Sequence, residues 1–509
     1  MISLIIHNNN IFNLEKYEEK IRFFNIQDTL KLLSEKEFDV IYIKDNLTLN
    51  CLDFYGLVLA YQIRLTEELK EKRYIPIVII SDLDGFTISK LTEYSKILFT
   101  KNIFLNQLPK ILPKFDNSNF NEDFLNKIEV KRNKDNSTNH DISNEWSIYK
   151  WAEFLRCESE AININKSEIE DKLYFKYIKA KFLKNTNSLE IIKPTKKGNV
   201  LLIDDQWNKG WSDILKNALQ KDGLEFYTFE YDFKDKSNFN LIVQLNHKEL
   251  KKQVEKSDVV ILDLRLLESD YENEDINNYT GIKILQKIHE INSGIQVIML
   301  TATSKSIILE KLYEKKILGY IKKEHPEDKS IDTVENINKL INLVDKGLKR
   351  KYLKEVFNIQ KLIKDILSND IFAQYNLDLN LYEPFWIKLE KESTNIFDIL
   401  DNERENSFIY AMISISSSLE TILSIFINEQ NMTFWDGESY DCQYNALRCR
   451  ILKLFEKLGS NEDSDMKKLI DKRNDYLHSR KNITVNQQEI VSWFTKLLKM
   501  IQIIKNSKI

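Results

Sequence analysis

The sequence predicts a multidomain protein with two α/β domains, each built on a parallel sheet, and a C-terminal all-α helical bundle. At 509 residues the chain is too long for one hydrophobic core. Short apolar runs separated by helix-length segments occur early in the chain and again in its middle, which is typical of parallel strands joined by helices. Towards the C-terminus the apolar spacing becomes helical throughout. The predicted domains and connector cover residues 1–115, 116–197, 198–345 and 346–509.

Composition and charge argue against several classes of protein. The apolar fraction is 42%, as in globular proteins, and 74 basic against 78 acidic residues give no overall field that favours nucleic acid. No apolar run approaches the roughly 18–20 residues of a bilayer span, and the N-terminus lacks the features of a signal peptide. The four scattered cysteines fit neither a disulfide framework nor a zinc site. We therefore predict a cytoplasmic protein without membrane association. The cysteines are Cys51, Cys157, Cys442 and Cys449.

The first domain is predicted to contain parallel strands because helix-length segments separate its apolar runs. The predicted strands cover residues 2–6, 38–43 and 75–80, and residues 57–64 have helical periodicity. The same order of segments recurs in residues 198–345, so we predict a divergent internal repeat. An unrelated small α/β domain is the alternative.

The connector is predicted to be a linker followed by helices. Residues 116–144 are rich in Asn, Asp, Lys and Ser, a composition typical of linkers. One helical pattern begins at residue 145, and a second covers residues 167–183. Trp146 and Trp151 could share one face, which we expect to pack against a neighbouring domain; a partner-binding surface is the alternative.

Polar residues follow each apolar strand of the second domain. The acid pair Asp204–Asp205, then Asp263, Thr301 and Lys323 come in this order, each after a predicted apolar strand. The carboxyl ends of parallel strands share one edge, where open α/β sheets hold their sites. Any one of these acids could simply be solvated. The complete order resembles a response-regulator receiver domain, a flavodoxin-like fold, over roughly residues 198–345.

The resemblance implies a phosphorylation site that needs Mg²⁺. Asp263 would be the phosphoacceptor, and a histidine kinase or phosphotransfer protein the donor. Asp205, supported by Asp204, would bind Mg²⁺ together with Asp263 and the backbone carbonyl of Arg265. Carboxylate and carbonyl oxygens are the ligands that this hard cation prefers.

The resemblance also implies residues that read out the phosphoryl group. Thr301 would be the switch hydroxyl and Tyr320 the aromatic residue that follows its movement. Lys323 would contact the phosphoryl group; we prefer it to Lys322 because it lies three residues after Tyr320. An acidic insertion at residues 268–275 and a long stretch before Asp263 depart from most receivers and leave the phosphodonor open.

The first domain is predicted to have lost this chemistry. Lys44 falls where the second domain has Asp263, and a lysine there can neither accept a phosphoryl group nor tolerate Mg²⁺. Asp45 lies one position after the place that corresponds to Asp263, so we expect its side chain to face elsewhere. The other counterparts are Asn8 and Asn9 for the acid pair, Ser81 for Thr301, and Lys101 for Lys323.

The third domain is predicted to be all-α. Helical patterns cover residues 352–363, 408–428, 442–458, 465–478 and 485–504. The domain contains no recognisable helix-turn-helix and no concentrated basic face, so a DNA-binding output is disfavoured.

A short motif in this domain points to RNA. Arg473, followed by Asn474 and then by His478, lies late in a predicted helix. This arrangement resembles the motif of the HEPN superfamily, which implies a metal-independent endoribonuclease without a cofactor, assembled where two copies of the domain meet. A histidine can serve as acid or base near neutral pH, and an arginine can stabilise a phosphorane. Asn474 would assist, and Glu420 is a weaker candidate for a polar partner from a facing helix.

The alternative for this motif is structural. Arg473 would pair within the bundle, and His478 would end a helix, where the dipole favours it. The sequence as a whole favours a two-component response regulator whose phosphorylation controls an RNase dimer, in stress or anti-phage defence. The alternative is a response regulator whose bundle is a phosphorylation-controlled docking or dimerisation module without enzymatic activity.

Overall fold

The computed structural model describes most of the chain. Outside the described residues lie 1, 9–15, 51, 107–120, 132–138, 183–189, 232–247, 272–274, 304–305, 329–331, 369–370, 372, 376, 378, 443–445, 460–463, 479–481 and 507–509. The rest forms two compact units. The first comprises residues 1–191, 208–217 and 322–337; the second comprises residues 192–207, 218–321 and 338–509. These units cross the sequence-based domain boundaries, which stay a prediction.

The first sheet has five parallel strands. They are β1 (Ser3–His7), β2 (Glu19–Arg22), β3 (Val40–Lys44), β4 (Ile77–Ile80) and β5 (Ile103–Asn106), in the order β2-β1-β3-β4-β5. The α-helices of this region are α1 (Ile26–Glu35), α2 (Tyr55–Leu65) and α3 (Gly85–Leu91), with 3-10 helices at Glu67–Tyr74 and Glu93–Phe99. The sequence reading missed β2, a short strand at the sheet edge in which only Ile21 is buried.

The connector helices are part of the first hydrophobic core. They are α4 (Asn121–Lys127), α5 (Asn139–Leu155), α6 (Glu160–Asp171) and α7 (Leu173–Phe182). Trp146 on α5 stacks on Phe175 of α7, with ring centroids 5.9 Å apart. Trp151 instead contacts Trp211 edge to face at 5.5 Å. The two tryptophans therefore have different partners. Part of the predicted linker at 116–144 lies outside the described residues.

The second sheet repeats the topology of the first. Its strands are β6 (Gly198–Ile203), β7 (Leu224–Thr228), β8 (Val259–Asp263), β9 (Gln296–Thr301) and β10 (Gly319–Lys322), in the order β10-β9-β8-β6-β7. Counted within each domain, both sheets have the strand order 2-1-3-4-5, the flavodoxin-like order. The accompanying helices are α8 (Trp211–Ala218), α9 (Lys248–Lys256), α10 (Thr280–Asn292), α11 (Ser306–Tyr313) and α12 (Thr333–Lys349). Short 3-10 helices lie at Trp207–Lys209, Glu268–Tyr271 and Ile276–Asn278. The predicted pair of parallel-sheet domains is confirmed.

The C-terminal region is helical, as predicted. Its helices are α13 (Tyr352–Leu367), α14 (Leu379–Asp401), α15 (Ser407–Phe426), α16 (Leu447–Lys457), α17 (Ser464–Leu477) and α18 (Gln487–Asn506), with a 3-10 helix at Ala373–Tyr375. The sequence reading missed one feature, an antiparallel pair of two-residue strands, β11 (Ile427–Asn428) and β12 (Thr433–Phe434).

One expectation drawn from composition needs correction. Cys442 and Cys449 form a disulfide, because their Cα atoms lie 5.8 Å apart, a distance that this bond can span. The expectation of no membrane association stays a prediction. Among the described residues, α15 is long and apolar enough to cross a membrane by length and composition alone, and 56% of its most apolar stretch is buried. The core of the helical region contains its buried residues, such as Ile415 and Leu419.

Candidate functional site

Three carboxylates meet at the carboxyl ends of β6 and β8. Asp204 and Asp205 directly follow β6, and Asp263 is the last residue of β8. Each offers an oxygen within 4.8 Å of the others. Asp204 and Asp263 are buried, whereas Asp205 is partly exposed. The structure thus brings together the acids that the sequence assigned to one site.

The arrangement fits a hard divalent cation. Carboxylates this close repel one another, and burial in a medium of low dielectric constant strengthens the repulsion. A bound cation offsets that cost, and an all-oxygen ligand set is the one that Mg²⁺ takes. Asp204, Asp205 and Asp263 are the side chains that would hold it.

Close backbone packing fixes the position of Asp263. The N–H of Gly281 on α10 donates to the carbonyl of Leu264 at 3.2 Å. A Cβ atom at Gly281 would lie 2.3 Å from the carbonyl oxygen of Asp263. Only glycine permits this approach of helix to strand end, so α10 sets the position of Asp263.

Arg265 and Thr301, close to the three carboxylates in the fold, form hydrogen bonds with nearby residues. The N–H of Arg265 donates to Oδ1 of Asp263 at 3.3 Å, and the Arg265 guanidinium donates to the Tyr279 hydroxyl at 2.9 Å. Thr301 ends β9, is buried, and accepts a hydrogen bond from the N–H of Thr303 at 3.1 Å. The role predicted for the Arg265 carbonyl stays a prediction.

The two lysines at the end of β10 have different surroundings, and the preference for Lys323 stays a prediction. Lys322, the rival, forms an ion pair with Asp328. Lys323 follows the strand directly, is 1% exposed, and has its Nζ 5.3 Å from the ring centroid of Trp211. Tyr320 is partly buried, with the ammonium of Lys339 4.6 Å from its ring centroid.

Sequence reasoning missed a structural role within the acidic insertion. Asp270 is buried, and its carboxylate accepts hydrogen bonds from the N–H groups of Leu266, Leu267 and Thr280 at 3.1–3.2 Å. Burial raises the pKa of Asp270 above its ordinary value, against the opposite effect of these hydrogen bonds. This acid fastens the insertion to the start of α10. The spacing of acids in the sequence gave no signal for it.

The first sheet repeats the backbone packing without the acid. Gly56 on α2 occupies the place of Gly281, since its Cβ atom would lie 2.0 Å from the carbonyl oxygen of Lys44. Its N–H donates to the carbonyl of Asp45 at 2.9 Å. Lys44 is therefore the counterpart of Asp263, as the sequence predicted.

Two other predicted counterparts differ. Asp45 does not face away: its carboxylate is buried and accepts a hydrogen bond from the Ser81 hydroxyl. Lys101 precedes β5 and so cannot be the counterpart of Lys323, which follows β10. Asn8 donates to the carbonyl of Asn46 at 3.1 Å, and Asn9 lies outside the described residues.

Comparison with known families supports this reading of the first sheet. Residues 2–106 match the family described as the inactive receiver domain. The prediction of a receiver-like domain without phosphorylation chemistry is thereby confirmed. No curated protein matches the chain. The presence of a receiver-like domain indicates a response-regulator type of role, and receivers generally interact with a kinase or phosphotransfer partner.

A second polar cluster joins three helices of the C-terminal region. Arg473 on α17 donates from Nη2 to Oε1 of Glu420 on α15 at 2.5 Å, and from Nη1 to Oδ1 of Asn474 at 3.0 Å. Arg450 on α16 forms an ion pair with Glu429; burial lowers its pKa, and the charge of Glu420 opposes this effect. Sequence reasoning missed Arg450.

His478 lies at the exposed end of this cluster. It directly follows α17, and its N–H donates to the carbonyl of Asn474 at 3.0 Å. Its side chain is exposed and Arg473 is partly buried. The exposed histidine thus directly follows the helix that holds the Arg473 guanidinium, which is paired with the Glu420 carboxylate.

Proposed function

We propose that this chain is a response regulator phosphorylated on Asp263, in which phosphorylation controls an RNase in the helical bundle. The observation that supports the first half is the cluster of Asp204, Asp205 and Asp263 at the ends of parallel strands. A histidine kinase or phosphotransfer protein is the proposed donor, and the proposed location is the cytoplasm.

The chemistry assigned to the second sheet is transfer of a phosphoryl group to a carboxylate. A carboxylate oxygen of Asp263 attacks phosphorus, and the bond to the donor nitrogen breaks with its electron pair leaving on the donor. Mg²⁺, when bound, supplies positive charge beside the phosphoryl oxygens. Lys323 would pair with one of those oxygens, and the Thr301 hydroxyl would respond to the new group.

The first prediction concerns this transfer. Incubation of the full chain with acetyl phosphate and Mg²⁺ should add one phosphoryl group, detected by intact-protein mass spectrometry. Asp263→Asn should abolish the addition, because an amide is not a nucleophile for phosphorus. Asp222→Asn, which changes an exposed acid of the same domain, should leave it intact. Equal labelling of both variants would refute the assignment of Asp263.

The RNase half is supported by the polar cluster around Arg473. His478 would act as acid or base on the 2′-hydroxyl or the leaving oxygen, and Arg473 would stabilise the phosphorane. Asn474 and Glu420 contact or orient the Arg473 guanidinium. Two copies of the motif would complete the site, so activation would involve a homodimer, with RNA as the substrate. A role in stress or anti-phage defence follows by analogy.

The second prediction tests the RNase. Expression of a phosphorylated or otherwise activated chain should arrest growth and fragment total RNA, and His478→Ala or Arg473→Ala should abolish both effects. Arg404→Ala, at an exposed arginine of the same region, should not. General acid–base catalysis contributes about 10²–10⁴-fold, so cleavage by His478→Ala should fall by at least about 100-fold.

The Arg473–Glu420 ion pair also favours a second candidate function. A guanidinium that is held by a carboxylate within one bundle can be purely structural. The bundle would then be a phosphorylation-controlled docking or dimerisation module. In that case RNA stays intact when Asp263 is verifiably phosphorylated, and Arg473→Ala acts through stability alone.

A further inference from the structure

The residue after Lys323 is held by one face of the connector helix α5. Glu324 is only 2% exposed, so its carboxylate depends on protein partners. Trp151 donates from Nε1 to Oε1 at 3.0 Å, and Lys150 donates from Nζ to Oε2 at 2.8 Å. Thr333 adds a hydroxyl donor to Oε2 at 2.9 Å. We call this set, together with Ser147, the Glu324 contact.

The backbone of Glu324 is fastened to the same helix. The hydroxyl of Ser147 donates to the Glu324 carbonyl at 3.2 Å, and the N–H of Glu324 donates to the same hydroxyl oxygen. Ser147, Lys150 and Trp151 are three and four residues apart, which places them on one helix face. Backbone and side chain of Glu324 are therefore bound by a single surface of α5.

Lys323 lies close to the ring of Trp211, which α5 also contacts. Its Nζ is 5.3 Å from the ring centroid of Trp211. The indole of Trp211 donates to Oδ1 of Asn144 on α5 at 3.0 Å and meets Trp151 edge to face. The surroundings of Lys323 and of Glu324 are thus built from the same turns of α5.

We propose that Glu324 is a positioning residue for Lys323, and that α5 responds to the phosphorylation state of Asp263 through it. The inference rests on the proposed function, in which Lys323 pairs with the phosphoryl group. Because the two residues share a peptide bond, a shift of Lys323 moves a group that is buried, charged and hydrogen bonded. A buried carboxylate that loses its partners is strongly unfavourable. Either α5 therefore moves together with Glu324, or its contacts with Glu324 restrain the movement of Lys323.

The inference gives the inactive first domain a role as the recipient of the signal. Besides the Glu324 contact, α5 contributes Trp146 to the core of the first sheet, where it stacks on Phe175. A shift or loosening of α5 therefore changes the packing of a domain that has no phosphoacceptor of its own.

Amide hydrogen exchange of the full chain tests the inference. Exchange is compared with and without acetyl phosphate and Mg²⁺, while intact mass reports occupancy of Asp263. In the wild type, phosphorylation should change the exchange of α5. In Glu324→Gln and Lys150→Met that change should be smaller by roughly threefold or more, because the coupling contact is broken, although Asp263 is still labelled. Lys166→Met breaks a different ion pair of α5, the one between Lys166 on α6 and Glu153, outside the Glu324 contact, and should respond like the wild type.

Each outcome decides the matter. If Asp263 takes up no phosphoryl group, the proposed function and the inference fall together. If Asp263 is labelled and α5 is unchanged in the wild type, or if its change persists in both variants, the inference alone is overturned. Should both variants unfold, Trp151→Phe decides, because it keeps an aromatic ring and removes only the donor to Glu324. A response as large as that of the wild type would then overturn the inference.

Discussion

His289 on α10 is a histidine whose charge state links pH to stability. Burial, and secondarily the charge of Lys316, lower its pKa to about 4 from an ordinary value of 6.5. The folded state therefore binds fewer protons than the unfolded chain between these values. The resulting stability is complete above pH 6.5 and is lost as the pH falls towards 4.

The third prediction follows from this shift. Between pH 7.5 and pH 5, protonation of the unfolded chain at His289 should reduce the free energy of unfolding by about 2 kcal/mol. His289→Gln should remove this part of the loss, because a glutamine does not titrate. Urea titrations of both proteins at the two pH values measure the difference. An identical pH dependence would contradict the burial argument.

At the scale of elements, the start of α10 packs closely against the end of β8. The fourth prediction is that Gly281→Ala forces them apart, because the new methyl group would meet the Asp263 carbonyl at 2.3 Å. We expect a loss of stability of about 1–3 kcal/mol, as for other overpacked sites, together with slower phosphoryl uptake by Asp263.

Gly85 offers the matched control for this substitution. A Cβ atom there would lie 3.6 Å from a methyl group of Leu105, an ordinary van der Waals distance. Gly85→Ala should therefore leave stability nearly unchanged in thermal unfolding. If Gly281→Ala were equally harmless, the close approach of α10 to β8 would not be required.

At the scale of the whole molecule, the second compact unit contains both the second sheet and the helical region. Lys354 on α13 joins them: its Nζ donates to the carbonyls of Glu255 and Ser257 at 3.0 and 2.7 Å and lies 3.7 Å from the Asp258 carboxylate. Burial lowers the pKa of Lys354, and the neighbouring Asp258 carboxylate opposes this effect.

The fifth prediction is that Lys354→Met weakens the cooperativity with which the second sheet and the helical bundle unfold. Hydrogen bonds to charged groups contribute about 1.5–3 kcal/mol, so stability should fall by an amount of this order, and unfolding should separate into two transitions in calorimetry. Lys361→Met, at an exposed lysine of the same helix, provides the control. One unaltered transition in Lys354→Met would show that this lysine does not couple the parts.

Control of an RNase also requires more than one contact. A change from about 1% to 99% active needs roughly 5.5 kcal/mol of differential stabilisation. One charge-assisted hydrogen bond to a phosphoryl group contributes roughly 1.5–3 kcal/mol. Dimerisation or a signal through the first domain must therefore add to phosphorylation in the proposed mechanism.

The sequence by itself determined the features that depend on local order. Apolar runs ending in Asp205, Asp263 and Thr301 fixed the parallel sheet and the residues at its edge, because strand ends of such a sheet meet. The substitution of Lys44 for the acceptor predicted an inactive first receiver, which the family comparison confirms. Short edge strands such as β2 were not predicted, because their exposed, charged residues do not form an apolar run.

Only the tertiary structure decided contacts between residues far apart in the chain. Glu324 meets Lys150 across 174 positions and Arg473 meets Glu420 across 53, and no local pattern records such pairs. The pairing of Asp45 with Ser81 across 36 positions is of the same kind, and the disulfide between Cys442 and Cys449, although these residues are only 7 apart, also had no signal in the sequence. Periodicity specifies which face of an element is buried; packing alone specifies which polar group on another element meets it.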